Sequence, residues 1–209
     1  MKFKKLIITP ELARIPAHIC ADGSVYVIRR KRCPSDLKRR SWNNPYRNEY
    51  TIEYYNNDLK LLLEFVNDMK IAFDRNKKTV KNKLQYKNVK HIIEKLELFN
   101  KNSYNWYIPN FIMNSNEEVF CSWIRAFFDD ESYIHPLRKR IVVKSMNKQG
   151  LLQINILLTK LEIRSSVTGP NCDNSYYLTV HKDGLLIYRS KIGFTMLRKK
   201  ILLDTILKK

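Results

Sequence analysis

Two short segments place acids where acids are costly. Ala21-Asp22-Gly23 and Asp129-Asp130-Glu131-Ser132 each close an apolar stretch of helical spacing. Their carboxylates therefore meet the negative end of a helix dipole, at a cost of ~0.3–1 kcal/mol each when exposed. Brought together, the two groups would also repel each other, and a divalent cation would relieve both penalties. Taken singly, the same residues read as a polar helix end before a turn and as a solvated acidic run. Metal chemistry depends on whether the fold joins them.

Composition excludes other chemistries. Cys20, Cys33, Cys121 and Cys172 contain no C-x-x-C pair, and His18, His91, His135 and His181 form no H-E-x-x-H or close cluster. Neither a structural zinc site nor a dense disulfide framework is expected, and a reducing, intracellular setting fits best. The 209 residues include 39 Lys+Arg against 20 Asp+Glu, a net charge of +19 that should attract a polyanion. No run approaches ~18 apolar residues, so no membrane span is expected. After the basic start only Leu6-Ile7-Ile8 is apolar, too little for a secretory signal.

The positioning elements follow from capping and periodicity. Thr9-Pro10-Glu11 starts a helix that runs through Leu12, Ile15 and Ile19 to Asp22-Gly23. Val25 to Ile28 and Tyr50 to Tyr54 read as strands, joined by a long basic connection from Arg29 to Arg47. Leu59, Leu62, Leu63, Val66 and Met69 mark a helix, and Val89, Ile92, Ile93, Leu96 and Phe99 mark another. Residues 103–117 read as a linker between a first half, 1–102, and a second half, 118–209. The second half repeats the first: an apolar helix from Val119 to Glu131, a basic hairpin from Ile134 to Ser145, and Leu151 to Ile163 matching Leu59 to Ile71. Each half reads helix, two strands, helix, two strands, helix, an α+β pattern. The tail from Met196 is an amphipathic basic helix docked on the second half. Ala13, Ala17 and Ala21 at four-residue spacing, with Ala126 in the second copy, would let the two leading helices approach closely.

Ile15-Pro16-Ala17-His18-Ile19-Cys20-Ala21-Asp22-Gly23 and Ile124-Arg125-Ala126-Phe127-Phe128-Asp129-Asp130-Glu131-Ser132 resemble the paired nine-residue motifs of single-chain LAGLIDADG homing endonucleases. The resemblance covers nearly the whole chain. It implies two pseudo-symmetric αββαββα halves, motif helices at their interface, and antiparallel sheets forming a saddle on double-stranded DNA. The eighth-position acids, Asp22 and Glu131, would hold a catalytic Mg²⁺, with Mn²⁺ or Ca²⁺ as alternatives, helped by the backbone carbonyls of Ala21 and Asp130. The implied reaction is hydrolysis of both DNA strands, leaving short 3′ overhangs, by a monomer of intron or intein type. The ordinary start at Met1 suggests a free-standing origin. Pro16 inside the first motif helix, Cys20 at its sixth position and Ser132 in place of the closing Gly depart from the pattern without removing an eighth-position acid.

The repeat nominates Lys87 and Lys182 as equivalent lysines supplying positive charge near the centre, with Lys144 a further candidate. Arg29, Arg30, Arg32, Arg47, Arg138 and Arg140 are the expected DNA contacts. Tyr26, Tyr50, Tyr54 and Trp42 are assigned to packing near this surface. A non-cleaving nucleic-acid-binding protein on the same scaffold, an intron RNA maturase or a regulator, is the alternative. A generic basic RNA-binding protein predicts neither repeat nor paired acids.

Overall fold

The computed structural model describes residues 8–35, 43–77, 81–99 and 101–208. Trp42 and the cations Lys38, Arg39 and Arg40 lie outside them. The first half comprises α1 (Pro10–Ala21), β1 (Gly23–Lys31), β2 (Tyr46–Tyr55), α2 (Leu59–Phe73), β3 (Lys83–Lys87) and α3 (Lys90–Lys95). A short α4 (Asn110–Met113) lies on the connection. The second half holds α5 (Glu117–Glu131), β4 (Ser132–His135), β5 (Arg140–Ser145), α6 (Lys148–Lys160), β6 (Ser165–Thr168), β7 (Tyr176–Val180), α7 (Leu185–Lys191) and α8 (Leu197–Lys208).

Side chains before the first turns start the principal helices. Thr9 accepts from the Leu12 amide at 3.3 Å, Asp58 from Lys60 at 2.8 Å, Asn116 from Val119 at 3.0 Å and Asn147 from Gly150 at 3.1 Å. Both sheets are antiparallel, ordered β1-β2-β3 and β4-β5-β7-β6. Leu12, Ile15, Ile19, Tyr54, Phe65 and Met69 belong to one core; Trp123, Phe127, Phe128, Val143 and Leu178 belong to the other. Ala13 and Ala17 of α1 face the second core, so α1 packs along α5 through its small residues. Gly23 is required where α1 turns into β1: a Cβ there would lie 2.5 Å from the Ile19 Cα.

The α+β architecture of paired helices and antiparallel sheets is as expected, with three differences. Among the described residues the first half has three strands and the second four, the additional strand β6 lying between α6 and β7. Both ends of the basic connection belong to a hairpin ladder. β1 and β2 pair from Gly23↔Tyr54 out to Lys31↔Tyr46, placing Arg29, Arg30 and Arg47 in the ladder. Backbone pairing tolerates these exposed charges, which periodicity reads as loop. Finally, α3 ends at Lys95, and Glu97 then takes a left-handed φ of 55°, leaving Phe99 half exposed against Tyr50 rather than on a helix face.

Candidate functional site

Asp22 caps the C-terminus of α1, its amide bonded to the His18 carbonyl at 3.0 Å; Glu131 is the last residue of α5. The two occupy matching positions. Gly23 pairs with Tyr54 as Ser132 pairs with Val143, and Tyr54 and Val143 pair in turn with Leu84 and Leu178. Burial and the neighbouring charge of Asp130 raise the Asp22 pKa to about 6. Burial and the charges of Asp22 and Asp130 raise that of Glu131 to about 7. The helix ends thus bring the acids into one electrostatic site. The Asn56 amide nitrogen reaches Asp130 at 2.9 Å and Asp22 at 3.4 Å, bridging the halves.

The three acids of residues 129–131 are not one solvated run. Asp129 is fully buried and accepts from the amides of Thr195 and Met196, both at 2.9 Å, holding the start of α8. Asp130 is also buried at its carboxylate, which bonds His18 Nδ1 at 2.8 Å and accepts from the Tyr54 hydroxyl and Asn56, both at 2.9 Å. Glu131 lines a cleft of about 370 Å³ with Ala21, Lys101, Lys144 and Asp173. Burial opposes a charge on His18, but Asp130 and Glu64 overcome it and lift its pKa to about 10. Lys199 from α8, 6% exposed, donates to the carbonyls of Phe128 at 2.9 Å and Asp129 at 2.6 Å, neutralising the end of α5.

A second set of charges joins the halves behind the acids. Arg14 grips Asp68 through Nε at 2.8 Å and Nη2 at 2.6 Å. Glu64 lies 3.7 Å from Arg14 and His18, 3.5 Å from Arg125 of α5, and 3.4 Å from the Thr195 hydroxyl. Sequence reasoning misses His18, Asn56, Glu64 and Lys199. A signal exists for some of them: Arg14 and His18, like Glu64 and Asp68, stand four residues apart, and so share a helix face.

Two of the three lysines expected near the centre lie elsewhere. Register makes Lys87 the counterpart of His181, one residue before Lys182. Lys87 pairs with Thr51 at the end of β3 away from the acids, and Lys182 lies beyond β7 at the corresponding far end. Short apolar runs match equally well in either alignment, and only strand pairing separates the two. Lys144 does line the acid cleft, where it meets Asp173 at 2.5 Å. Its counterpart is Tyr55, and paired with Tyr55 stands Lys83, bound to Glu53 at 2.9 Å.

Alternation sorts the arginines. Ile52 and Tyr54 enter the core, so Glu49, Thr51, Glu53 and Tyr55 face the open side of the sheet. Arg30 joins that side, 3.1 Å from Glu49, and Arg47 stands opposite it. Arg29 points to the other face and covers the Tyr46 ring at 4.3 Å, so it does not share a contact surface with Arg30. Arg32 bonds the Tyr46 carbonyl at 3.2 Å. Arg138 lies in the exposed β4–β5 turn, and Arg140 pairs with His135 on the open face of the second sheet. Glu53, an acid on that surface, is saturated. Burial would raise its pKa, but bonds from Tyr26, Lys83, Tyr55 and Gln85 pull it to about 2.

The chain has the LAGLIDADG fold. Crystal structures of the homing endonuclease I-DmoI superimpose on it: its complex with DNA and Mn has a TM-score of 0.63 at 16% identity, covering 90% of this chain and 98% of that one. Full-length WhiA of Thermatoga maritima has a TM-score of 0.57 at 14% identity, covering 99% of this chain and 62% of that one. No family model matches the chain. Among curated proteins, the glutamine–fructose-6-phosphate aminotransferase of Methanocaldococcus jannaschii is 27% identical over 212 residues. The match takes in 96% of this chain, which spans only 18% of that relative's length.

Proposed function

We propose that this protein is a site-specific DNA endonuclease that hydrolyses both strands of a duplex, leaving short 3′ overhangs, with Mg²⁺ as its ion and Mn²⁺ or Ca²⁺ able to occupy the same site. The observation that carries this reading is that Asp22 and Glu131 stand at matching C-terminal ends of α1 and α5, two helices packed together through small residues. Such a pair is built for a hard cation. Among the described residues no three His, Cys, Asp or Glu side chains are grouped to hold a metal. Two carboxylates would therefore need the backbone carbonyls of Ala21 and Asp130, phosphate oxygens and water to complete a Mg²⁺ shell. When bound, the ion stabilises the attacking and leaving oxygens of the phosphodiester.

The chain's own residues supply the rest. Asn56 bonds Asp22 and Asp130, His18 pairs with Asp130 next to Glu131, and Lys144 brings positive charge into the cleft beside Glu131. Arg30, Arg47 and Arg140 on the open sheet faces, with Arg138 at a turn, would anchor phosphates or read guanine edges. The likeness to I-DmoI, solved with DNA and with Mn, Mg or Ca, supports this reading. Both motifs lie on one chain, so we propose a monomer.

A cleavage selection on a randomised plasmid library in Mg²⁺ tests the proposal. Linear products with short 3′ overhangs, absent with EDTA and absent from Asp22→Asn and Glu131→Gln, are expected. Specific DNA or RNA binding without cleavage under any divalent ion would establish the maturase or regulator alternative.

A further inference from the structure

The outer end of the second half carries a charged feature remote from the acids. A cavity of about 820 Å³ opens where the β4–β5 turn, the end of β7 and the last turn of α8 meet. Arg138, Lys139, Arg140, Arg164, His181 and Lys182 line it. Its one lining acid among the described residues, Asp183, is held by Arg164 at 2.9 Å. The buried Nε of Arg140 has no hydrogen-bond partner among the described residues. This concentration of like charge is unfavourable unless an anion with several negative groups enters.

Its position names the anion. β4 leaves Glu131 through Ser132 and turns at residues 136–139, while β7 ends at Val180 opposite Ile141. The cavity thus lies at the strand ends away from the acids. Arg140 borders it from the open sheet face, and Leu185 and Ile206 border it from helices behind the sheet. Its lining therefore runs from the open face of the second sheet round to the helices behind it. We propose that this groove receives the phosphate backbone of duplex DNA where the duplex leaves the saddle, bent around the second half. DNA as the partner rests on the function proposed above; the groove as an anion site stands on its own geometry.

The test is the salt dependence of binding to a random-sequence duplex of ~60 base pairs, followed by fluorescence anisotropy. Replacing Lys139, Arg164 and Lys182 together by Ala should weaken binding roughly 10- to 100-fold and reduce the log–log salt slope by about 3, one phosphate per cation. The charge-preserving set Lys139→Arg, Arg164→Lys and Lys182→Arg should restore the slope, which separates loss of charge from loss of fold. A control set, Lys60, Lys70 and Lys95 to Ala, should leave the slope within about 1 of the original. Equal effects from the groove and control sets would overturn the proposal, as would a groove set that weakens binding to duplex RNA while leaving DNA binding unchanged. Failure of the unaltered protein to bind duplex DNA would overturn both readings. Binding that depends on the groove without cleavage would sink the nuclease reading alone.

Discussion

The charge of Asp22 makes Glu131 harder to ionise, so on the function proposed above neutralising either acid should remove cation affinity while leaving duplex binding intact. Asp22→Asn and Glu131→Gln are each expected to slow cleavage by at least ~100-fold with little change in duplex affinity, checked by single-turnover kinetics beside anisotropy. His18 and Asp130 behave differently. Their side chains are fully buried and 2.8 Å apart, so removing one strands the other. His18→Ala should cost ~3–5 kcal/mol in denaturant unfolding, more than the joint replacement of His18 and Asp130 by apolar residues of similar volume. A His18→Ala protein as stable as the parent would show that the pair contributes nothing. Glu53 gives a pH signature. Its folded pKa, about 2, lies below its ordinary value of 4.5. The stability it contributes is therefore fully present above pH 4.5 and is lost as pH falls toward 2. The Tm advantage of the parent over Glu53→Gln should shrink across that window and nowhere above it.

At the scale of elements, the join between α1 and β1 is the tightest constraint. Gly23→Val would drive a side chain into the Ile19 backbone and is expected to cost ~1–3 kcal/mol or more; unchanged thermal unfolding would refute that. The motif helices and their acids are legible in the sequence because a cap, an apolar period and a misplaced charge coincide there. The strands are less so. The outer parts of β1 and β2 carry Arg29, Arg30, Lys31 and Arg47, and no hydrophobic alternation marks a ladder whose outer end is exposed on both faces. Lys87 and Lys182 are misread for a related reason: equivalence between repeats is set by hydrogen-bond register, and short runs of Leu, Val and Tyr can be slid by a residue. The partly buried network of Arg14, Asp68, Glu64 and Arg125 is invisible to periodicity because its partners lie on three helices far apart in sequence.

At the scale of the whole molecule the net charge is +19, and among the described residues Arg30, Arg47 and Arg140 lie on sheet faces, Arg138 in a turn, and Lys139 and Lys182 at the outer groove. For the duplex DNA partner proposed above, affinity should be dominated by phosphate contacts, with a log–log salt slope of about −9 for ~10 neutralised phosphates. A slope shallower than about −4 would mean that much of this charge never meets the duplex. Arg30 and Arg47 stand directly opposite each other on the open face, an unfavourable pairing in isolation that a bound backbone would reverse. Curvature of the target would add selectivity at positions no side chain touches.

Lys199 sets an order of events in time. Its ammonium closes the carbonyl end of α5 from a position 70 residues after Asp129. During translation both acids are therefore made well before the cation that steadies them. The carbonyl end of α5 is therefore expected to stay frayed until α8 has emerged from the ribosome and docked.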